Sequence, residues 1–331
     1  MVWIKFLFFA AIVVIAAVKL AEYGDVIAVR TKLGGLFVGT IFLAAATSLP
    51  ELIASISSFQ LGEPNLAAGN FFGSNMVNVV LLALIDLLVF RVPLLRKVAV
   101  SHAVTAALIT VLMTVAIFAI LSDMDIMVGW VGLDSILLIV MYFVGIWLIQ
   151  RENNGSAAAT APVAVAIAPE FPTLKVGLIG FTVAAGVLLL TVPQLVNSST
   201  EIAVITGVGT GFVGVALLSI VTSLPELVAA IAAIRIGAFD MAVGNLFGSS
   251  VFNMLALGLS DFFYTDGSFL ADIDPGFALV GLIGLMLTNM ALIGNLARVE
   301  RKILFIEVDA VAIILVYLLG LYFLFMRGIG V

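Results

Sequence analysis

Long apolar runs fill most of the chain, and short polar connections separate them. A helix that crosses a bilayer needs about 20 apolar residues. Because the runs are continuous rather than alternating, they indicate helices and argue against a porin-like barrel. The pattern predicts ten transmembrane spans, at residues 3–21, 34–60, 66–90, 98–121, 127–149, 174–194, 203–234, 240–262, 275–296 and 303–326.

Composition supports an all-α polytopic membrane protein. Of the 331 residues, 63% are apolar and 10% are charged, and the mean hydropathy is +1.31. A soluble protein of this size needs more charge to cover its surface. The first run is too long and too poorly flanked for a cleaved signal, so it is interpreted as a retained span. The absence of cysteine excludes disulfides and thiolate metal sites. The net charge of −6 argues against binding to nucleic acid.

A hydrophilic break at residues 150–173 divides the spans into two groups of five. The predicted units are residues 1–150, a linker at 151–173 and a second unit at 174–331. Because five is an odd number, the two groups must insert with opposite orientation. The expected architecture is therefore ten transmembrane helices arranged as two inverted five-helix repeats.

The distribution of basic residues predicts the orientation. If the N-terminus is outside, 12 of the 14 lysines and arginines lie at the inner face. Such an excess is typical of the cytoplasmic side. We expect a multi-pass protein of the cell (inner or plasma) membrane, with both termini outside and the linker 151–173 in the cytoplasm.

An internal repeat carries the candidate chemistry. The segment 37–86 recurs without a gap at 212–261, at an offset of 175 residues, with 23 of the 50 positions identical. The shared words include TSLPEL and a GN-x-F-GS motif. Each copy places one glutamate, Glu51 or Glu226, inside an apolar stretch. Burying a carboxylate at membrane depth is costly and usually serves a function.

The residues around each glutamate offer further oxygen atoms. Thr47 and Glu51 are four residues apart and share a helix face. Pro50 lies between them and leaves nearby carbonyls without helical partners. In lipid those carbonyls need another partner, and a cation is a suitable one. In the next span, Ser74 and Asn78 again share one face.

The two copies together predict a cation site at the midplane. It would hold two carboxylates and about eight neutral oxygen donors, with a charge of −2 suited to one divalent or about two monovalent cations. The candidate ligands are Glu51, Glu226, Thr47, Thr222, Ser48, Ser223, Ser74, Ser249, Asn78 and Asn253. Taken singly, a proline is usually only a kink and a GxxxG pattern only packing. Their recurrence in register favours the site.

Three other polar residues are assigned to less specific roles. Asp86 and Asp261 match between the copies, but they lie at the far ends of their spans. We interpret them as interfacial or capping groups. His102 is the only histidine, and it starts the fourth span beside a basic turn. It is interpreted as an interfacial residue.

These motifs resemble the calcium/cation antiporter superfamily and, within it, the prokaryotic sodium/calcium exchangers. That family carries TSLPE followed by GN-x-x-GSN-x-x-(N or D), which correspond here to 47–51 with 69–78 and to 222–226 with 244–253. The resemblance implies that Glu51 and Glu226 bind Ca²⁺, helped by the carbonyls of Thr47 and Thr222. It implies that Na⁺ uses the same glutamates with Ser48, Ser74, Ser223, Ser249, Asn78 and Asn253. Carbonyls of Ala44 and Ser219 are weaker candidates. The first and sixth spans would slide to switch access.

Two positions depart from the family pattern. Asn253 stands where many sodium/calcium exchangers have aspartate, which leaves two formal charges rather than three. The Na⁺:Ca²⁺ ratio therefore stays open, and the potassium-dependent branch is disfavoured. Ser250 stands where the family usually has the asparagine of GSN. The LP step of TSLPE favours sodium over proton coupling.

The expected function is exchange of Ca²⁺ for Na⁺ by alternating access. The alternatives are an H⁺-coupled Ca²⁺ exchanger that uses the same glutamates and, from another class, a cation channel. An enzyme is the least favoured class, because no nucleophile–base pair or phosphate loop is evident. The expected partners are the two ions as substrates and the lipid bilayer. We expect no cofactor, no nucleic acid and no obligatory protein partner.

Overall fold

The structure is a computed structural model, and it describes residues 1–31, 44–88, 102–123, 126–156, 172–297, 302–303 and 306–330. In chain order, the first six helices are α1 (Val2–Thr31), α2 (Leu49–Gln60), α3 (Pro64–Leu88), α4 (Ala103–Ser122), α5 (Leu133–Ser156) and α6 (Leu174–Thr206). They continue as α7 (Thr210–Val213), a π-helical turn (Gly214–Leu218), α8 (Ser219–Thr222), α9 (Leu224–Arg235), α10 (Phe239–Ser260), a 3₁₀ turn (Asp261–Phe263), α11 (Phe269–Asp272), α12 (Phe277–Ala297) and α13 (Val308–Arg327).

Two short antiparallel hairpins precede α5 and α13. The first pairs β1 (Met127–Val128) with β2 (Val131–Gly132), and the second pairs β3 (Lys302–Ile303) with β4 (Ile306–Glu307). The two hairpins are related by the same offset of 175 residues as the repeated motifs. The repeat therefore extends beyond the segments recognised in the sequence.

Nine helices within the described residues are long and apolar enough to cross a membrane. They correspond to nine of the ten predicted spans, with the broken stretch Thr210–Arg235 taken as one. The other predicted span, 34–60, falls partly on residues 32–43, which lie outside the described residues. Most of the linker at 151–173 lies outside them as well. The helical, polytopic class is thus established, whereas the number ten and the inversion stay predictions.

The first and sixth helices are longer than predicted. They have 30 and 33 residues, so each extends about 45–50 Å, well beyond the hydrocarbon core of a bilayer. The polar residues Lys19 and Asn197 do not terminate these helices, because each makes a contact within its own helix. Lys19 pairs with Glu22 at 2.5 Å, and the Asn197 side chain donates to the carbonyl of Pro193 at 2.9 Å.

The predicted start of the seventh span, residue 203, is wrong. Residues 203–206 are the last turn of α6, which ends at Gly207 in the left-handed conformation (φ 69°). Glycine favours this helix terminus because it has no Cβ to clash. The next span begins at Thr210.

Helices α1 and α6 form an antiparallel pair. Near one end, Lys5 Nζ lies 3.6 Å from a carboxylate oxygen of Glu201. Near the other end, Arg30 Nε donates to the carbonyl of Pro172 at 2.8 Å. Their buried apolar residues form a second hydrophobic cluster, separate from the main core. This second cluster also includes residues of α2, α3 and the segment 210–222. The pair therefore packs over the broken helices.

The main core surrounds α3 and α10, which are the most buried of the spans. Large side chains such as Phe71, Phe72 and Phe247 fill it. Glycines allow α3 to approach the segment 210–218 closely, since a Cβ at Gly214 would lie 3.0 Å from the Cα of Gly69. This close approach brings polar residues of the two halves together at the centre.

Several connections meet at one end of the bundle. Asp274 N–H donates to the side chain of Asn65 at 2.9 Å, and Gly330 N–H donates to Asp274 Oδ2 at 2.9 Å. The Thr210 hydroxyl donates to Glu63 at 2.8 Å. The connections after α2, α6 and α10 therefore share one face with the end of α13, as alternating spans require.

Candidate functional site

Both repeated motifs interrupt their helices at the same serine. Ser48 has φ −90° and ψ 7°, and Ser223 has φ −88° and ψ 0°, so both lie in the sparsely populated bridge region. Pro50 and Pro225 then occupy the first turn of the following helices, where a missing N–H costs no hydrogen bond. The prolines of both copies thus follow an interruption of the helix, in agreement with the kinked or broken helix that the TSLPE motif predicts.

The two glutamates occupy equivalent places after these breaks. Glu51 lies in the first turn of α2 and Glu226 in the first turn of α9. A helix N-terminus carries a partial positive charge that favours a carboxylate. Each break therefore places one acidic side chain at the favourable end of a half-helix inside the protein.

All ten predicted ligand residues are buried, each with 2% or less of its surface exposed. Two contacts join the halves reciprocally. The hydroxyls of Thr47 and Ser249 are 3.2 Å apart, and those of Ser74 and Thr222 are 3.4 Å apart. The threonine of each copy thus contacts the serine of the other. These contacts bring four of the predicted residues together at the interface of the two halves.

The carboxyl groups have few partners. The Ser48 hydroxyl donates to Glu226 Oε1 at 3.3 Å. Glu226 Oε2 and both oxygens of Glu51 have no hydrogen-bond partner among the described residues. The charges of the two glutamates act on each other, and no basic side chain in the described part of the chain pairs with either. Buried charges without partners are costly by several kcal/mol, so this site is suited to cations.

Two asparagines at the site were not predicted as part of it. Asn70 Nδ2 donates to the backbone carbonyl of Glu51 at 3.3 Å, and Asn245 Nδ2 donates to that of Glu226, also at 3.3 Å. The Thr222 hydroxyl donates to Asn70 Oδ1 at 3.0 Å. The signal was present in the sequence as the asparagine of each GN pair, an amide inside an apolar span at matched positions of both copies.

A second pair of reciprocal contacts orients amide oxygens. Asn78 Nδ2 donates to Ser250 Oγ at 3.2 Å, and Asn253 Nδ2 donates to Asn75 Oδ1 at 3.1 Å. The Oδ1 atoms of Asn78 and Asn253 have no partner among the described residues. Both predicted asparagines therefore keep an oxygen free for another ligand.

The two weaker backbone candidates are already occupied. The Ala44 carbonyl accepts from Ser48 N–H at 2.9 Å and from the Thr47 hydroxyl at 3.2 Å. The Ser219 carbonyl accepts from Ser223 N–H at 3.0 Å, whereas the Thr222 hydroxyl, 3.3 Å from this carbonyl, donates its single hydrogen to Asn70 Oδ1. Each carbonyl has two lone pairs. Both are used at Ala44, whereas Ser219 keeps one, so ion binding by these carbonyls stays a prediction.

The donor set identifies the class of ion that the site can bind. It consists of carboxylate, hydroxyl and amide oxygens, and within the described residues no group of three or more His, Cys, Asp or Glu side chains comes together. Hard cations such as Ca²⁺ prefer oxygen ligands. The arrangement can neutralise about two positive charges between its two glutamates.

Comparison with known proteins gives a consistent picture. The sequence matches the family described as Sodium/calcium exchanger protein over residues 1–150 and 176–326. It is 28% identical to Inner membrane protein YrbG of Escherichia coli (strain K12) over 258 residues, which cover 75% of each chain. It is 25% identical to the putative antiporter CaxA of Alkalimonas amylolytica over 237 residues, or 70% of each chain. The first relative is named as an inner membrane protein and the second as a putative antiporter.

Solved structures share the fold. The H⁺/Ca²⁺ exchanger CAX matches with a TM-score of 0.67 and 14% identity, covering 98% of this chain and 88% of that one. The sodium-calcium exchanger NCX_Mj matches with a TM-score of 0.58 and 18% identity, covering 97% and 99%. At these identities the likeness establishes the fold alone.

Proposed function

This chain belongs to the sodium/calcium exchanger protein family, and on that premise we propose that it is a secondary-active antiporter that exchanges Ca²⁺ for Na⁺ across a membrane by alternating access. One observation carries the proposal. Glu51 and Glu226 are buried within electrostatic range of each other, beside hydroxyl and amide oxygens from both halves, and no described basic side chain neutralises them.

Competition for these carboxylates couples the two ions. One Ca²⁺ between Glu51 and Glu226 neutralises the pair, and Na⁺ ions placed at the same oxygens do so in turn. The neutral donors then complete the coordination, because hard cations take six or more oxygen ligands. Since both ions need the same two charges, binding of one displaces the other.

The empty site resists the conformational change. Without cations, two carboxylates would move through the bilayer interior uncompensated, at a cost of several kcal/mol. A bound ion therefore lowers the free energy of the intermediate states between the two open forms. The ion-free protein keeps its site open to the same side of the membrane. This penalty suppresses leak of the driving ion.

The α1–α6 pair is the element that we assign to the moving step. It packs through its own hydrophobic cluster, and it is tied at both ends by Lys5–Glu201 and by Arg30 to the Pro172 carbonyl. These ties support movement of the two helices as one body across the broken helices. Access to the site would then change from one face to the other.

We further propose that both termini lie outside and that residues 151–173 lie in the cytoplasm, as the basic residues predict. The chain has no cysteine, so single cysteines can be introduced without a background. A cysteine at Glu63 should react with a membrane-impermeant maleimide in intact cells, and one at Lys175 only after permeabilisation. The reverse pattern would invert the topology.

The central experiment measures ⁴⁵Ca²⁺ uptake into proteoliposomes, with Na⁺, K⁺ and H⁺ gradients imposed separately. We expect uptake only into vesicles loaded with Na⁺. Glu51→Gln and Glu226→Gln should each abolish it. Asp123→Asn is the matched control, since it removes an exposed carboxylate at a left-handed position (φ 48°) that asparagine tolerates. Sodium-driven uptake by Glu51→Gln would refute the assignment of the site.

Coupling to protons is the second candidate. Two buried carboxyl groups without basic partners can be neutralised by protons as well as by Na⁺, and the neighbour with a TM-score of 0.67 is an H⁺/Ca²⁺ exchanger. This alternative predicts Ca²⁺ uptake driven by a pH gradient in Na⁺-free buffer. A channel, by contrast, would pass Ca²⁺ with no counter-ion at all.

A further inference from the structure

A second polar cluster lies at the far end of α10, on the face where the loop connections meet. Its centre is Asp261, which is fully buried. Asp261 Oδ2 accepts from Gly132 N–H at 2.7 Å, and Oδ1 accepts from Phe269 N–H at 2.9 Å. This carboxylate joins the β1–β2 hairpin to the connection between α10 and α12. The bond to Phe269, the first residue of α11, is a capping contact of the predicted kind, whereas the bond to the hairpin was not predicted.

Three side-chain oxygens converge beside Gly132. A Cβ atom at that glycine would lie against Asp134 Oδ1, 2.5 Å from Ser268 Oγ and 3.2 Å from Asp261 Oδ2. The three oxygens come from the start of α5, the loop before α11 and the end of α10. Glycine at position 132 leaves the space in which they meet.

Two buried hydroxyls lack partners, one in this cluster and one on the residue that follows Asp134. Ser268 Oγ is one of the three converging oxygens, and its residue is 1% exposed. Ser135 follows Asp134 and is fully buried. Neither hydroxyl has a hydrogen-bond partner among the described residues. Because an unsatisfied buried polar group is costly, each such case needs an explanation, and a bound cation supplies one.

The surroundings are strongly acidic. The segments 123–134 and 260–276 contain seven aspartates and no lysine, arginine or histidine. Burial and then the negative charges of Asp272, Asp266 and Asp261 raise the pKa of Tyr264 to about 12. Asp266 and Asp272 are exposed, so this negative field reaches the solvent and attracts cations.

The repeat provides an internal comparison. At the offset of 175 residues, Asp134 corresponds to Asp309, and each accepts from the next backbone N–H, at 2.7 Å from Ser135 and at 3.0 Å from Ala310. The other copy, however, has Glu307 in place of Gly132 and Ala310 in place of Ser135. The carboxylates Asp134 and Asp261 thus have repeat counterparts in Asp309 and Asp86, whereas Ser268 corresponds to Pro93, so the converging hydroxyl and the glycine beside it belong to one copy only.

We propose that Asp134, Asp261 and Ser268 form a second cation site that binds Ca²⁺ without transporting it. Ca²⁺ takes carboxylate and hydroxyl oxygens in flexible geometry and completes its shell with water. Asp134 is half-buried, so an ion can enter from the solvent. Bound Ca²⁺ would fasten the β1–β2 hairpin to the loop after α10. Its affinity would be in the range of weak extracellular sites, about 10⁻⁴–10⁻³ M.

The test uses full-length Glu51→Gln/Glu226→Gln protein, in which the central site is disabled, and Tb³⁺ as the probe. Trp130 lies beside the cluster, with its Nε1 donating to the Phe262 carbonyl at 3.2 Å. Excitation of tryptophan should produce Tb³⁺ luminescence, and Ca²⁺ should compete it away. Adding Trp130→Phe should remove the luminescence but preserve ⁴⁵Ca²⁺ binding.

Single changes then locate the ligands. Asp134→Asn and Ser268→Ala should each weaken Tb³⁺ and Ca²⁺ binding about tenfold or more. Asp309→Asn, the repeat counterpart, is the matched control and should leave binding unchanged. Ser268→Ala removes an unpartnered hydroxyl, so the fold should tolerate this change. If Asp134→Asn disturbs α5, the Ser268→Ala variant decides the result.

Two results would overturn the site: no competable luminescence in the double variant, or equal binding by the Ser268→Ala, Asp309→Asn and parent proteins. Neither result bears on the exchange function, because the transport glutamates are already neutral in every protein compared. Failure of the exchange proposal would appear instead as absent ⁴⁵Ca²⁺ uptake by the wild-type protein.

Discussion

Replacing Gly214 by alanine tests whether the close helix approach holds the ion site together. A Cβ at this position would lie 2.6 Å from the Leu66 carbonyl oxygen, 3.0 Å from the Cα of Gly69 and 3.1 Å from the backbone N of Asn70. All three are backbone atoms, so no side chain can rotate away. Relief requires α3 to move from the segment 210–218.

The size of that movement follows from the distances. Ordinary contact begins at 3.4 Å, so the 2.6 Å approach must open by about 0.8 Å. The bonds from Thr222 to Asn70 (3.0 Å) and to Ser74 (3.4 Å) cross the same interface and would be stretched beyond hydrogen-bond range. Overpacking costs about 1–3 kcal/mol. The higher helix propensity of alanine, about 1 kcal/mol, offsets part of this.

Thermal unfolding in detergent and ⁴⁵Ca²⁺ uptake measure the two consequences. We expect Gly214→Ala to lower the free energy of unfolding by up to about 2 kcal/mol and uptake by about tenfold or more. The matched control is Gly186→Ala in α6, where a Cβ would meet nothing within 4 Å. It should retain uptake and gain slightly in stability. If both variants behave alike, the close approach does not hold the site.

Three further outcomes follow from the structure. Thr222→Val keeps the side-chain shape but leaves Asn70 Oδ1 unpaired, so the KM for Ca²⁺ should rise about tenfold while the fold persists. An unchanged KM would contradict a role of Thr222 in positioning Asn70. Burial lowers the pKa of His102, although Asp240 Oδ1 lies 3.9 Å from its Nε2. The folded state therefore favours the neutral histidine and loses stability as the pH falls below about 6.5. His102→Gln should flatten that loss in pH-dependent thermal unfolding. Lys5→Ala removes a half-exposed ion pair worth about 0.2–1 kcal/mol, so ⁴⁵Ca²⁺ uptake should change less than about twofold.

Local signals explain why the helix breaks were predictable. Pro50 and Pro225 act on their own turns through a missing N–H and a fixed φ, so no tertiary information is needed to place them. The repeat doubled that signal. The end of α6 was harder, because an apolar run continues past Gly207 and hydropathy cannot show where one helix stops and the next begins.

Contacts between the halves could not be predicted from composition or spacing. The pairing of Asn78 with Ser250, and the bond from Asn245 to the Glu226 carbonyl, depend on how the helices cross. In the sequence, Asp261 was interpreted only as an interfacial or capping group. Its bond to the N–H of Gly132 depends on a hairpin 129 residues away, which no local pattern reveals.

The departure at position 250 can be understood from the reciprocal contacts. Asn75 and Ser250 are repeat counterparts, and each accepts a hydrogen bond from the asparagine of the other half. That task needs only an acceptor oxygen, which a hydroxyl provides as well as an amide does. Asn78 and Asn253 use their Nδ2 groups for these contacts, and their Oδ1 atoms have no partner among the described residues. Serine at position 250 preserves the acceptor with a shorter side chain, so both Oδ1 atoms stay available to the ion site that we propose.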